Sequence, residues 1–137
     1  MVIPLLTGAL GQTRILLERQ FRYPVGQVMI ELPAGKRDGQ EDLLLCAQRE
    51  LREETGLADA RLVSEGIFDI DIHGIPARGS LAAHDHMDIR FWFESSQTHT
   101  ILSDESHELA WMDREAIDRV THEASIWRMV NKTLTNR

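Results

Sequence analysis

The chain is predicted to fold as an α/β or α+β domain, on three observations. It has short alternating apolar runs broken by Gly and Pro, one long central stretch of strong helix formers, and two amphipathic stretches near its C-terminus. Residues 2–10 and 15–18 read as strands separated by the turn-forming Gly11-Gln12-Thr13, and Pro4 and Gly8 make the first of them an edge strand. Residues 28–32 follow the break at Pro24-Val25-Gly26 and alternate as a strand; Pro33-Ala34-Gly35 ends it, and 36–40 is a polar loop. Residues 42–55 form the clearest helix, and Gly56 is its natural stop. Residues 61–69 and 87–94 are strand candidates, the second with Met87, Ile89, Phe91 and Phe93 on one face, and 74–83 is a loop between them. Residues 113–120 and 123–134 read as helices, the latter with Ile126, Met129, Val130 and Leu134 as its buried stripe.

The 137 residues correspond to one domain, 1–137, with 42% hydrophobic and 27% charged side chains, near globular averages. A net charge of −7 argues against a sequence-independent grip on nucleic-acid phosphates, which needs basic surface. It leaves a phosphorylated small molecule open, because a bound divalent metal reverses the local sign. Cys46 is the only cysteine, so no internal disulfide and no CxxC pair exists. The start lacks a basic n-region with a long apolar core, and no apolar run approaches the ~20 residues that span a bilayer. A cytoplasmic protein with no membrane partner is expected.

The informative segment is 35–57. On a helix, Glu50, Glu53 and Glu54 stand at i, i+3 and i+4 and project from one stripe, beside an apolar stripe of Leu44, Ala47 and Leu51. Clustered carboxylates repel one another, and a hard cation removes that penalty; Mg²⁺ takes oxygen ligands from carboxylates, water and phosphate. Taken alone, the triplet is equally a solvated acidic face with Arg49 and Arg52 as surface partners.

The triplet is not alone. Gly35, Glu41, Arg49, Glu50, Leu51, Glu53, Glu54, Gly56 and Leu57 fit the Nudix box, G-x5-E-x7-R-E-U-x-E-E-x-G-U with U aliphatic, at every specified position. Seven of these positions demand a single residue type, so a chance match at one start is roughly one in 10⁸ or rarer. The sequence therefore resembles the Nudix hydrolases. The resemblance implies an α/β/α sandwich with a mixed central sheet, the box being a loop–helix–loop on one side. It implies that Glu50, Glu53 and Glu54 bind Mg²⁺ (Mn²⁺ substituting) and activate water, with the backbone carbonyl of Ala34 as a further ligand. It implies that Arg49 orients the glutamates, that Glu41 holds the box loop, and that the reaction is hydrolysis of a nucleoside diphosphate linked to another moiety. Glu53 is the first candidate for the base; Glu108 or Glu105, in an acidic stretch before Trp111, is the alternative, and a surface turn explains them equally. Cys46 fits packing on the box helix rather than nucleophilic chemistry.

Substrate choice lies outside the box. Residues 17–35 resemble the ADP-ribose pyrophosphatases, which makes Arg22 and Glu31 candidate substrate contacts; a surface ion pair and a strand-edge carboxylate are the structural alternatives. Departing from those enzymes, the chain has His73 where they place a proline, with Pro76 displaced, and only a short stretch before Ile15 to build their swapped dimer. Many relatives are dimers, so a homodimer of another kind stays open. The later half resembles a broadly annotated Nudix group with an H-x-H-x-D run. Here His84, His86 and Asp88 share a face if their strand starts early, so His84 and His86 are candidates for lining the pocket, contacting phosphate or holding an extra metal. A polar loop is the alternative. Trp92, Trp111 and Trp127 include candidates for base stacking, and core packing explains each. The expected partner is a small-molecule nucleotide, ADP-ribose or a related nucleoside diphosphate sugar. A nucleoside triphosphate, intact or damaged, and a catalytically silent nucleotide-binding module are the alternatives.

Overall fold

Ile15, Leu16, Leu17 and Glu18 are buried in succession, so the strand that carries them is covered on both faces. That strand, β2 (Thr13–Arg22), lies inside a sheet with β1 (Val2–Thr7) and β3 (Gln27–Glu31), in the computed structural model of the chain. The structure describes residues 2–7, 13–22, 26–63, 65–104 and 108–134. The ends of the expected first strand and of the turn after it (8–12), the break at Pro24-Val25, and Glu105 lie outside these. The sheet runs β3-β2-β1-β6-β4, with β6 spanning His84–Ser95 and β4 only Arg61–Leu62; β7 (Glu108–Met112) pairs β2, and β5 (Asp69–Ile75) pairs β6. The β1–β6 pair is parallel and the others are antiparallel, so the sheet is mixed as the resemblance implies.

Three expectations need correction. β1 is an interior strand rather than an edge; β2 pairs it only at Leu5–Thr7, so Pro4, which has no N–H to donate, faces the ladder of β6 alone. The expected strand over 61–69 is broken. Val63 N–H donates to the Trp92 carbonyl (2.9 Å) and Phe68 N–H to the Arg90 carbonyl (2.8 Å), and the chain bows away between them through Gly66, at φ 92°. Pairing then resumes as β5 and runs to Ile75, into what reads as loop from sequence. The third is β7, a five-residue strand that the sequence reading does not separate from the acidic stretch before it.

The helices occupy both faces of the sheet. The box helix α1 (Leu43–Thr55) starts where Asp42 caps it, its carboxylate accepting from Leu44 N–H (3.0 Å) and Leu45 N–H (3.2 Å), and it stops at Gly56, at φ 71°. Ala47 and Leu51 press onto Leu16, Leu57, Phe91 and Phe93. On the opposite face α2 (Arg114–Val120) and α3 (Ala124–Thr133) bring Ile117, Ile126, Met129 and Val130 onto Ile15, Leu17 and Leu32. Each such side chain contributes about 1.5–3 kcal/mol when fully buried. Among the described residues no helix is long and apolar enough to cross a membrane.

A charge cluster locks α3 to the sheet. Buried Asp69, at the start of β5, accepts from Arg128 Nη2 (2.7 Å) and Lys132 Nζ (2.7 Å), and fully buried Arg90 lies 3.4 Å away. Burial works to raise the Asp69 pKa, but the hydrogen bonds from Arg128 and Lys132 outweigh it and hold the carboxyl below its ordinary 3.8. A depressed carboxylate pKa stabilises the fold above the unfolded value and ceases to do so as pH falls through the folded one. Urea melts should therefore show the Asp69 contribution intact at neutral pH and progressively lost as pH falls below about 3.8. Asp69→Ala is expected to lower the unfolding free energy by about 3 kcal/mol, because it strands a buried guanidinium; a change under about 0.5 kcal/mol, the range of ordinary surface substitutions, would show the clamp to be dispensable.

Candidate active site

The polar loop before α1 and the outer face of α1 are joined by one guanidinium. Arg49 meets Glu41 in a fork, Nε to Oε1 at 3.0 Å and Nη2 to Oε2 at 3.1 Å. The same side chain reaches Glu50 Oε1 (2.8 Å) and Glu53 Oε2 (3.0 Å) through Nη1, and donates to the Lys36 carbonyl (3.2 Å) through Nη2. Asp38 N–H donates to Glu41 Oε2 at 3.2 Å, and Arg37 donates to the Glu41 carbonyl. Residues 36–41 are thus tied to the second and third turns of the helix. Bonding to Glu41 pushes the Arg49 pKa up and the Glu41 pKa down, so both stay charged.

Glu50 is the most enclosed of the three carboxylates, 8% exposed. Its carboxylate occupies the space where a side chain on Gly35 would stand: a Cβ built there would lie 1.6 Å from Oε2. Glycine is required at this position for close approach, not for backbone conformation. Burial raises the Glu50 pKa, Arg49 pulls it down, and Glu54 and Glu53 add repulsion. Glu53 is exposed, while Glu54 accepts from Ser103 Oγ at 2.8 Å. Ser103 belongs to a return segment that also donates Ile101 N–H to the Thr55 carbonyl (2.9 Å) and packs Ile101 over Gly56. Ala34 adjoins Gly35 in the loop facing Glu50. Arg49 is the one fixed cation shared here by four carboxylates, those of Glu41, Glu50 and Glu53 and, at 3.4 Å, that of Asp38, and the donors are all oxygen; this set fits a hard divalent cation.

Arg22 and Glu31 come together. Arg22 Nε donates to Glu31 Oε1 (2.8 Å) and Oε2 (2.9 Å), and Nη2 adds a further contact with Oε2. The β2–β3 register sets Glu31 opposite Glu18, so both residues of the pair share the sheet face that bears Leu16 and α1. Arg22 and Glu31 thus form an ion pair on that face.

The other candidates lie elsewhere. Register pairs Glu108 with Arg19, and the two side chains meet at 3.2 Å on the face of Leu17 and Ile15, turned from α1. Glu108 is therefore not brought to the box. β6 does start early, at His84, and alternation places His84, His86 and Asp88 with Arg90 and Trp92 on the α3 side. His84 Nδ1 lies 2.9 Å from the Ala82 carbonyl; His86 stands beside His73. Sequence reasoning passed over Asp71 and His73 as functional groups, although D-x-D-x-H in one strand opposite H-x-H-x-D in the next carries the signal. Cys46 is buried and its thiol pKa is pushed up by burial, as packing requires. The tryptophans all pack on the cores, Trp111 Nε1 donating to the Thr98 carbonyl (3.1 Å) and Trp127 Nε1 to that of Thr121 (2.9 Å).

The NUDIX domain profile matches residues 2–132, and the chain belongs to that family. An ADP-ribose pyrophosphatase of Saccharomyces cerevisiae is 60% identical over 42 residues, 31% of this chain and 18% of that protein. A methanol dehydrogenase activator of Bacillus methanolicus is 35% identical over 76 residues, 50% of this chain and 41% of the relative. The chain thus spans less than half the length of either. Among solved structures, a C. elegans Ap4A hydrolase binary complex superposes with TM-score 0.72 at 20% identity, over 98% of this chain and 92% of that one, which establishes the fold.

Two substitutions test the geometry. Gly35→Ala should displace the Glu50 carboxylate, and Arg49→Ala should release Glu41, Glu50 and Glu53 together. Each is expected to weaken Mn²⁺ binding by about 10–100-fold, read by electron paramagnetic resonance, because side chains that orient metal ligands carry that much affinity. Unchanged Mn²⁺ affinity in both variants would separate this clasp from metal binding.

Proposed function

We propose that the chain hydrolyses a P–O–P linkage in a nucleoside diphosphate derivative, with ADP-ribose or a related nucleoside diphosphate sugar as substrate. The observation that carries this reading is the Arg49 clasp, which holds Glu50 against Gly35 and Glu53 beside it with all box positions filled. The carboxylates of Glu50, Glu53 and Glu54 and the carbonyl of Ala34 would hold Mg²⁺, or Mn²⁺ in its place. Bound there, the metal supplies neutralisation of the diphosphate and a lowered pKa for water.

The chain's own groups then have distinct tasks. Glu53, exposed at the rim of the cluster, accepts the proton of the attacking water as its oxygen bonds to phosphorus and the bridging P–O bond breaks. Glu50, the most enclosed of the three carboxylates, its pKa raised by burial and drawn back by Arg49, is the anchoring ligand. Arg49 is a positioning residue, acting through the carboxylates it holds. Arg22 would exchange Glu31 for a ligand phosphate, a role suited to its planar fork. The likeness of residues 17–35 to the ADP-ribose pyrophosphatases, and the identity with the yeast relative, support the substrate class.

Phosphate release after phosphatase coupling, measured with Mg²⁺ or Mn²⁺ across ADP-ribose, other nucleoside diphosphate sugars, dinucleoside polyphosphates and normal and oxidised triphosphates, tests the proposal. ADP-ribose or a nucleoside diphosphate sugar should lead; a triphosphate preference would overturn the substrate, and no turnover with either metal would overturn the reaction. Glu53→Gln should lower kcat by about 10²–10⁴-fold without shifting the melting temperature, the range for removing a general base. Arg22→Ala should raise KM for the preferred nucleotide and leave kcat nearly unchanged, the pattern for lost ground-state binding.

A further inference from the structure

A second set of metal-ligating side chains lies away from the box. β5 and β6 pair with His73 opposite His86 and Asp71 opposite Asp88, so alternation sets all four on one face of a two-stranded ribbon. That face is turned toward α3, because Arg128 Nη2 of α3 bonds Asp71 Oδ1 at 3.0 Å, whereas α1 and its glutamates lie on the other. His73 Nδ1 stands 3.4 Å from Asp71 Oδ2 and 3.8 Å from Asp88 Oδ2, and His86 Nε2 stands 3.9 Å from Asp88 Oδ1. The donor atoms of Asp71, His73 and Asp88 all fall within 4.8 Å of one another.

We propose that Asp71, His73 and Asp88, with His86 completing the set, bind a divalent transition-metal ion of the zinc class at a site separate from the box. Ligands held at ~2.0–2.1 Å around tetrahedral Zn²⁺ stand about 3.4 Å apart, close to the separations that these side chains already have. Mixed imidazole and carboxylate donors suit zinc and its neighbours, whereas Mg²⁺ favours oxygen alone. The register places two carboxylates directly across from each other; Arg128 and buried Arg90 offset part of their repulsion, and a metal ion between them would offset more. Arg128 takes one oxygen of Asp71 and leaves the other facing His73, and its own guanidinium is held by Asp69 at 2.7 Å. A metal ligand is commonly oriented in this way by an outer partner. The bound ion would join the two strands just short of the hairpin tip at Arg78 and Leu81.

Calorimetric titration of the intact chain with Zn²⁺, in millimolar Mg²⁺ to occupy the oxygen-only box, should show one tight site per chain and a raised melting temperature. His73→Ala and Asp88→Asn should each weaken that site by more than about 10-fold, while Glu53→Gln should keep it. Co²⁺ added to the unaltered chain under the same conditions should give the intense visible bands of four-coordinate cobalt, a readout that stands even where a variant fails to fold. Absence of Zn²⁺ binding above the Mg²⁺-saturated background would overturn the proposal. So would weak octahedral Co²⁺ bands alone, or a site lost in Glu53→Gln and kept in His73→Ala.

Discussion

Glu41 and Arg49 stand eight residues apart, and their two-pronged ion pair is what makes the loop and the helix a single rigid unit. Without it, residues 36–41 would have little to hold them, since their side chains are mostly exposed. With it, the loop is drawn back over the helix until Gly35 touches Glu50, and Arg49 has two donors left for the carboxylates beside it. Arg suits this position because its five donors lie in one plane and serve several acceptors together; a lysine ammonium could satisfy one or two. The rest of the architecture supports this unit. Asp42 and Gly56 fix where the helix begins and ends, and Ala47 and Leu51 fix its rotation against the sheet.

The alternation of the strands divides the chemistry between two faces. On the side of α1 the sheet presents Leu16, Phe91 and Phe93 and, farther along, the Arg22–Glu31 pair. On the side of α3 it presents Arg90, Asp69, Asp71 and Asp88. Both faces carry buried charge; on the α3 side that charge lies beneath the helix and is bonded to it through Ser125, Arg128 and Lys132. The two sets are not wholly separate, because the Asp88 carboxylate on one side helps raise the pKa of Arg22 on the other.

Much of this was legible in the sequence because the box specifies its own backbone. The spacing of Glu41, Arg49, Glu50 and Glu53 is the spacing of the contacts they make, the cap residue Asp42 and the stop Gly56 bound the helix, and the stripe of α3 is buried at Ile126, Met129 and Val130 as periodicity requires. What was not legible depended on long-range pairing. The residues of β7 are too few to declare a strand on their own, and what makes them one is pairing with β2, about ninety residues earlier in the chain. The break at Gly66 and the extension of β5 to Ile75 are likewise decided by β6, and only that register shows His73 to be a neighbour of His86. Glu108 could be placed beside the box from sequence order, but a one-residue parity in β7 sends it to the opposite face.

The Arg22–Glu31 pair has a bearing on discrimination between ligands. Both groups are partly enclosed, so an anion that captures Arg22 leaves a carboxylate with its partner gone, a penalty of about 1–3 kcal/mol. Bare pyrophosphate has nothing to offer Glu31 in exchange. A ligand that brings an anion and, a few ångströms away, a hydroxyl or amino donor replaces both halves of the broken pair. Were Arg22 to take a ligand phosphate as proposed, the ion pair would act as a two-point template: it would favour molecules in which negative charge and hydrogen-bond donors occur side by side and handicap simple anions whatever their charge.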